Sequence, residues 1–152
     1  MGITKVFLVY GGGSVIRSGL LDEIKKSLDE EHISYEELGG VKPNPRLSFA
    51  RKGVEKAIAF GAELILAVGG GSAIDTAKGI AIGAANPGTD IWEFWKNKKE
   101  LKKALPVGTV LTISAAGSEM SNSAVLTDEE TQDKSGIGSD LIRPKFAIMN
   151  PK

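Results

Sequence analysis

Two turns in this sequence gather the residue types that hold a phosphate. Gly11, Gly12, Gly13 and Ser14 follow the apolar run VFLVY, and Gly69, Gly70, Gly71 and Ser72 follow LILAV; a helical pattern comes after each. Glycine at a strand-to-helix turn allows positive φ and close approach of a ligand to the backbone. The helix behind it offers unpaired N–H groups and a partial positive charge, which suit a pyrophosphate. Neither turn spells GxGxxG, and glycines at strand ends also serve simply to turn the chain. The second turn has more chemistry around it. Ser72 can cap the helix or donate to a phosphate, Asp75 stands three residues on and Lys78 three further. Ser72 and Asp75 also read as a capping box, so a plain helix start accounts for those two. A third group lies in VLTISAAGSEMSNSAVLT, where Thr112, Ser114 and Ser118 follow a buried run and small neighbours leave room for a flat ligand. Spacing alone does not separate that reading from a loop rich in small polar residues.

These groups must be carried by elements, and the elements are legible. Lys5–Tyr10 is a short β-rich run, and 20–28 places Leu20, Leu21, Ile24 and Leu28 on one helical face. Residues 33–38 read as a second strand closed by Gly39 and Gly40. Leu47–Phe60 is helical, with Phe49, Val54, Ala57, Ile58 and Ala59 on its apolar side. Residues 64–68 form an uninterrupted apolar run, as a parallel strand buried on both faces requires. A small-residue helix over 73–85 stops at Asn86, Pro87 and Gly88. Strands follow at 107–113 and 145–149, and 123–127 with 134–138 flank DEETQ as a hairpin. The β-α-β-α-β-α-β alternation predicts an α/β fold with a doubly wound, mostly parallel Rossmann-like sheet and a small hairpin, in one domain, 1–152. In such a sheet the carboxyl ends of the strands bring the three groups together.

Composition bounds the function. Of 152 residues, 19 are basic and 19 acidic, so nothing favours nucleic acid or an anionic membrane as a partner. With no cysteine, disulfides, thiol catalysis and Cys-based metal sites are excluded together. No apolar run approaches the ~20 residues of a membrane span and no leader pattern opens the chain, so a cytoplasmic protein is expected. Zinc and iron sites usually draw on several His or carboxylate ligands. The lone His32, between a charged helix end and a strand, reads as solvated. Asp29 to Glu31, Asp128 to Glu130 and the lysines at 96, 98, 99, 102 and 103 read as solvated charges, and Trp92, Phe94 and Trp95 as packing or interface residues.

In order along the chain, VYGGGS, GGVKPNPR, AVGGGSAIDTAKGIA, LPVGTVLTISAAGSEM, VLTDEETQDKSGI and PKFAIMNPK resemble the iron-containing (group III) alcohol dehydrogenases, especially their butanol dehydrogenase branch. The resemblance covers nearly the whole chain. It implies an N-terminal dinucleotide-binding domain, which in that family precedes a helical domain holding a divalent metal, iron or zinc, through an aspartate and histidines. By motif, Gly70, Gly71 and Ser72 would wrap the cofactor's pyrophosphate, with Asp75 supporting that turn or facing the nicotinamide. Asn44 would lie along the cofactor, Thr112 near its adenosine half, and Lys134 would reach it from the hairpin, with Ser114 a further cofactor-binding candidate. NAD-preferring relatives place an aspartate after the first strand, where it accepts from the ribose. Here Gly11, Gly12 and Ser14 occupy that place, which implies tolerance of, or preference for, NADP over NAD.

The chain departs from the family at Ala116, where a Thr is common, and it ends before the helical domain would begin. The resemblance therefore implies the NAD(P)-binding half of an enzyme acting on a primary alcohol or aldehyde, without catalytic or metal-ligating residues of its own and inactive alone. A non-catalytic nucleotide- or phosphate-binding module, or a subunit completed by another chain, fits the residues as well. Ile80, Ile82, Trp92 and Trp95 would then lie bare where the helical domain is absent, favouring a homo-oligomer.

Overall fold

A computed structural model of the protein describes residues 3–11, 19–42, 45–96, 99–112 and 122–150, with the backbone alone given for 71, 111–112 and 146–150. Five strands form one parallel sheet: β1 (Lys5–Tyr10), β2 (Ser34–Leu38), β3 (Leu64–Gly69), β4 (Val107–Thr112) and β7 (Phe146–Asn150). Their order across the sheet is β2-β1-β3-β4-β7, and β5 (Ser123–Asp128) pairs antiparallel with β6 (Asp133–Gly138) as a separate hairpin. The helices are α1 (Leu20–Glu30), α2 (Leu47–Phe60), α3 (Gly71–Ala85) and the single turn α4 (Trp92–Trp95), and a 3-10 turn spans Asp140–Ile142.

From β1 the chain goes outward to β2, then crosses back over β1 to β3. The winding direction therefore reverses between β1 and β3, which neighbour each other with Tyr10 opposite Val68. Such a reversal opens a crevice at the carboxyl ends of the two strands.

Both sheet faces are covered, and that explains the unbroken apolar strands. In β1, Val6, Leu8 and Tyr10 pack with Leu20 and Leu21 of α1, together with Leu64, Leu66 and Val68 of β3. Phe7 and Val9 point the other way, onto Ala57 of α2 and Ile74, Ala77, Ile80 and Ala81 of α3. Burying Phe7 completely contributes about 3 kcal/mol of transfer free energy. A third cluster joins Leu47 and Ala50 of α2, Ile82 of α3, Ile91, Phe94 and Trp95 with Ala124 and Leu126 of the hairpin.

Helix α3 thus meets the sheet, α2 and the hairpin on three sides, which is why it is apolar around most of its circumference. The expected exposure of Ile80, Ile82 and Trp95 is overturned: the first two are fully buried, Trp95 is buried, and Trp92 is half-buried and stacked on Trp95 at 6.5 Å between ring centres.

Candidate functional site

The register places three predicted positions side by side at the carboxyl edge. Gly11 leaves β1 next to the end of β3, and Gly69 at the end of β3 pairs with Leu111, directly before Thr112. The end of β2 folds in as well: Gly40 N–H donates to Gly11 O at 3.0 Å and Val41 N–H to Tyr10 O at 3.2 Å. Beside Gly11 lies a groove of about 280 Å³ lined by Val41, Lys42, Pro45, Arg46 and Phe49 among others. Gly12, Ser14, Asn44 and Ser114 fall outside the described residues, as does Ala116.

The second glycine turn divides into two different kinds of glycine. Gly69 has φ 118°, a conformation that L side chains resist, so a backbone reason suffices there. Gly70 does not share it. Its backbone is extended, at φ −108° and ψ −169°, and a Cβ built on it meets no atom within 4 Å. Among the described residues, neither conformation nor packing calls for glycine at 70. What its missing side chain leaves is open space at the mouth of α3.

Gly70 is the N-cap of α3 and Gly71 its first residue, so the expected start at 73 moves forward. Ser72 is consequently inside the first turn and is not the cap; the N-cap residue, a glycine, supplies no side-chain bond. The carbonyl of Ser72 accepts from the Thr76 hydroxyl at 2.9 Å. The first N–H groups of a helix have no partner within it, and those of α3 begin directly after Gly70. This cradle suits an anion such as a pyrophosphate.

Asp75, one turn further, is half-buried, and the nearby Val125 backbone N–H of the hairpin favours its charged form. Lys78, 1% exposed, donates to Ser123 O at 2.8 Å. Burial pushes the Asp75 carboxyl up and the Lys78 ammonium down, while each supports the other's charge. Sequence reasoning gave Lys78 no role. Its signal was a lysine three residues after an aspartate within an otherwise apolar helix.

Lys134 is exposed on β6 opposite Thr127, and Thr127 N–H donates to Pro45 O at 2.9 Å beside the groove. The hairpin loop is tied down too. The Glu129 carboxylate accepts from the Ser48 N–H at 3.2 Å and from its hydroxyl. It therefore caps α2, whose own N-cap, Arg46, supplies no side-chain bond. The Ser48 hydroxyl holds this carboxyl below its usual range. Glu129 is thus a cap, not a merely solvated charge, and Lys96, also expected to be solvated, pairs with Asp133 at 2.6 Å.

Comparison with known proteins gives the family. Residues 1–151 match the family described as iron-containing alcohol dehydrogenase. The chain belongs to the iron-containing alcohol dehydrogenase family. It is 45% identical over 148 residues to NADH-dependent butanol dehydrogenase A of Clostridium acetobutylicum, covering 97% of this chain and 38% of that protein. Against NADPH-dependent aldehyde reductase YqhD of Escherichia coli it is 38% identical over 149 residues, with 97% and 38% covered. The crystal structure of NADH-dependent butanol dehydrogenase A from Thermotoga maritima superposes with a TM-score of 0.92 at 45% identity, covering 98% of this chain and 37% of that one. The chain thus spans under two-fifths of the length of these family members.

The family's metal finds no match in the donor set. Among the described residues no three His, Cys, Asp or Glu side chains come together as a metal site, and His32 sits in an exposed turn at φ 59°. No described helix is long and apolar enough to cross a membrane.

Proposed function

We propose that this chain, residues 1–152, is the NAD(P)-binding domain of a metal-dependent oxidoreductase that interconverts a primary alcohol and its aldehyde. The observation that carries the reading is Gly70. It is a glycine for which, among the described residues, neither conformation nor packing gives a reason, at the N-terminus of α3 and beside the β1/β3 crossover. In this reading the N–H groups of Gly70, Gly71 and Ser72 bind the pyrophosphate. Thr112 lies near the adenosine half, Asn44 along the cofactor, Ser114 contributes a further cofactor contact, and Lys134 reaches the cofactor from the hairpin. The bound nicotinamide supplies the hydride acceptor or donor. The chain's own part is to hold and orient it.

Gly11, Gly12 and Ser14 offer no carboxylate to a 2′-phosphate, so NADP(H) is admitted as well as NAD(H). Relatives named for NADH and for NADPH, at 45% and 38% identity, support a site of this kind. The metal belongs, on this reading, to a helical domain outside the chain, which is why the chain alone is expected to be inactive. Adding zinc or iron(II) to it with butanal and NADPH tests this. Oxidation of NADPH under those conditions would overturn the assignment of the metal half.

A further inference from the structure

The two glycines after β2 hook the chain back over the end of β1. Gly40 has φ 88°, which glycine adopts freely, and a Cβ on Gly39 would stand 2.5 Å from the Tyr10 ring. Two backbone bonds fix the hook, from Gly40 N–H to Gly11 O and from Val41 N–H to Tyr10 O. The segments touch: a Cβ on Gly11 would lie 3.5 Å from Val41 O. Lys42, the next residue, is therefore anchored beside Gly11. There it lines the groove together with Arg46, with Val41 and Phe49 as apolar neighbours. Among the described residues no acid lines this groove, and neither cation is ion-paired. Both are exposed. The Ser48 N–H at the start of α2 is already taken by Glu129. Arg46 also favours the ionised form of Glu129, so Lys42 is the less compensated of the two cations.

When an open α/β sheet holds a dinucleotide, an acid near the phosphate-binding strand accepts from the ribose 2′-hydroxyl, or a cation there accommodates a 2′-phosphate. Here β3 leads into the candidate cradle at Gly70, and β1 is its neighbour. Tyr10 and Gly11 bring no acid to the end of β1, and the Glu37 carboxylate on β2 is taken by Lys25 and the Tyr10 hydroxyl. We propose that Lys42, with Arg46 secondary to it, is the specificity-determining cation that receives the 2′-phosphate of NADP(H) in the groove beside Gly11. The proposal deepens the nucleotide-binding reading above and rests on it. The 2′-hydroxyl of NAD(H) gives the ammonium no charge to attract, so the two nucleotides should respond differently to its removal.

Calorimetric titration of the unmodified chain, Lys42→Ala and Lys42→Arg with NADPH and with NADH tests this. Lys42→Ala should lower the NADPH-to-NADH affinity ratio about threefold to tenfold at low ionic strength, as expected of one exposed cation on a phosphate. The drop should shrink at ~0.5 M salt, and Lys42→Arg, which keeps the charge, should hold the ratio. The phosphorus NMR signal of the bound 2′-phosphate should titrate at lower pH than that of free NADPH, and move back up in Lys42→Ala. An unchanged ratio would overturn the proposal. Equal losses for both nucleotides would do the same, since they would put the ammonium on the shared pyrophosphate. A chain that binds NADH and rejects NADPH would refute this proposal and leave the nucleotide-binding reading standing. Binding of neither nucleotide would refute both.

Discussion

Replacing Gly70 by alanine separates a turn that needs glycine from a cradle that needs space. At φ −108° and ψ −169° an alanine is unstrained, and its Cβ has no atom of the described residues within 4 Å. The fold should therefore lose no more than ~0.5 kcal/mol, the usual range for a surface change. For the ligand the same methyl is a wall. It would stand where a phosphate must approach the N–H groups of α3 and would forfeit one charge-assisted bond, ~1.5–3 kcal/mol. Nucleotide affinity should fall ~10- to 100-fold. Gly69→Ala is the contrasting control. Its φ of 118° carries a strain of ~1–2 kcal/mol for an L side chain, and Tm should drop by ~2–8 °C for a chain of this length. Calorimetric titration with NADPH and NADH, alongside thermal melts by circular dichroism, reads both effects. Unchanged affinity in Gly70→Ala with an unchanged melt would refute the cradle.

Three further outcomes are expected. Gly12→Asp should weaken NADPH more than NADH, whereas Ser72→Ala should weaken both; equal effects from Gly12→Asp would contradict a discriminating first turn. Within α3, Gly83→Ala would set a Cβ 2.4 Å from Val54 Cγ2 and 2.8 Å from Ile91 Cγ2, against 3.3 Å to Leu126 Cδ1 at Gly79. Both substitutions gain ~1 kcal/mol of helix propensity, but overpacking at 83 costs ~1–3 kcal/mol. Urea melts should rank Gly79→Ala the more stable, and the reverse order would contradict the packing. Lys25 at 2.6 Å and the Tyr10 hydroxyl at 2.8 Å hold the Glu37 carboxyl below its usual value. A depressed carboxylate contributes stability above the unfolded value, ~4.3, and loses it as pH falls through the folded one. The penalty of Glu37→Gln should accordingly be constant from pH 8 to 6 and shrink below ~4; a penalty independent of pH would show that the ion pair contributes nothing.

How much of this was legible in the sequence depended on distance along the chain. Lys5–Tyr10 and Leu47–Phe60 are read correctly at both ends, because an apolar run ending in glycine and a helix ending at Gly61, φ 78°, are local signals. The start of α3 is misread because a glycine turn and a glycine-led first helical turn look alike, so Ser72 is taken for a cap that Gly70 provides. The roles of Glu129 and Lys78 lie deeper. Glu129 reaches Ser48 across 81 residues and Lys78 reaches Ser123 across 45, pairings that follow only once the hairpin is docked on α2 and α3. The same docking buries Ile80, Ile82 and Trp95 within this chain, where the sequence suggested a bare surface. The convergence of Gly11, Gly70 and Thr112, by contrast, follows from parallel winding alone.

The central claim is that residues 1–152 bind a nicotinamide dinucleotide through the crevice between β1 and β3. Isothermal titration of the chain with NADPH and with NADH tests it most directly. Saturable one-to-one binding of at least one of them, weakened ~10- to 100-fold in Gly70→Ala, is the predicted result. No binding of either nucleotide to a folded chain would contradict it.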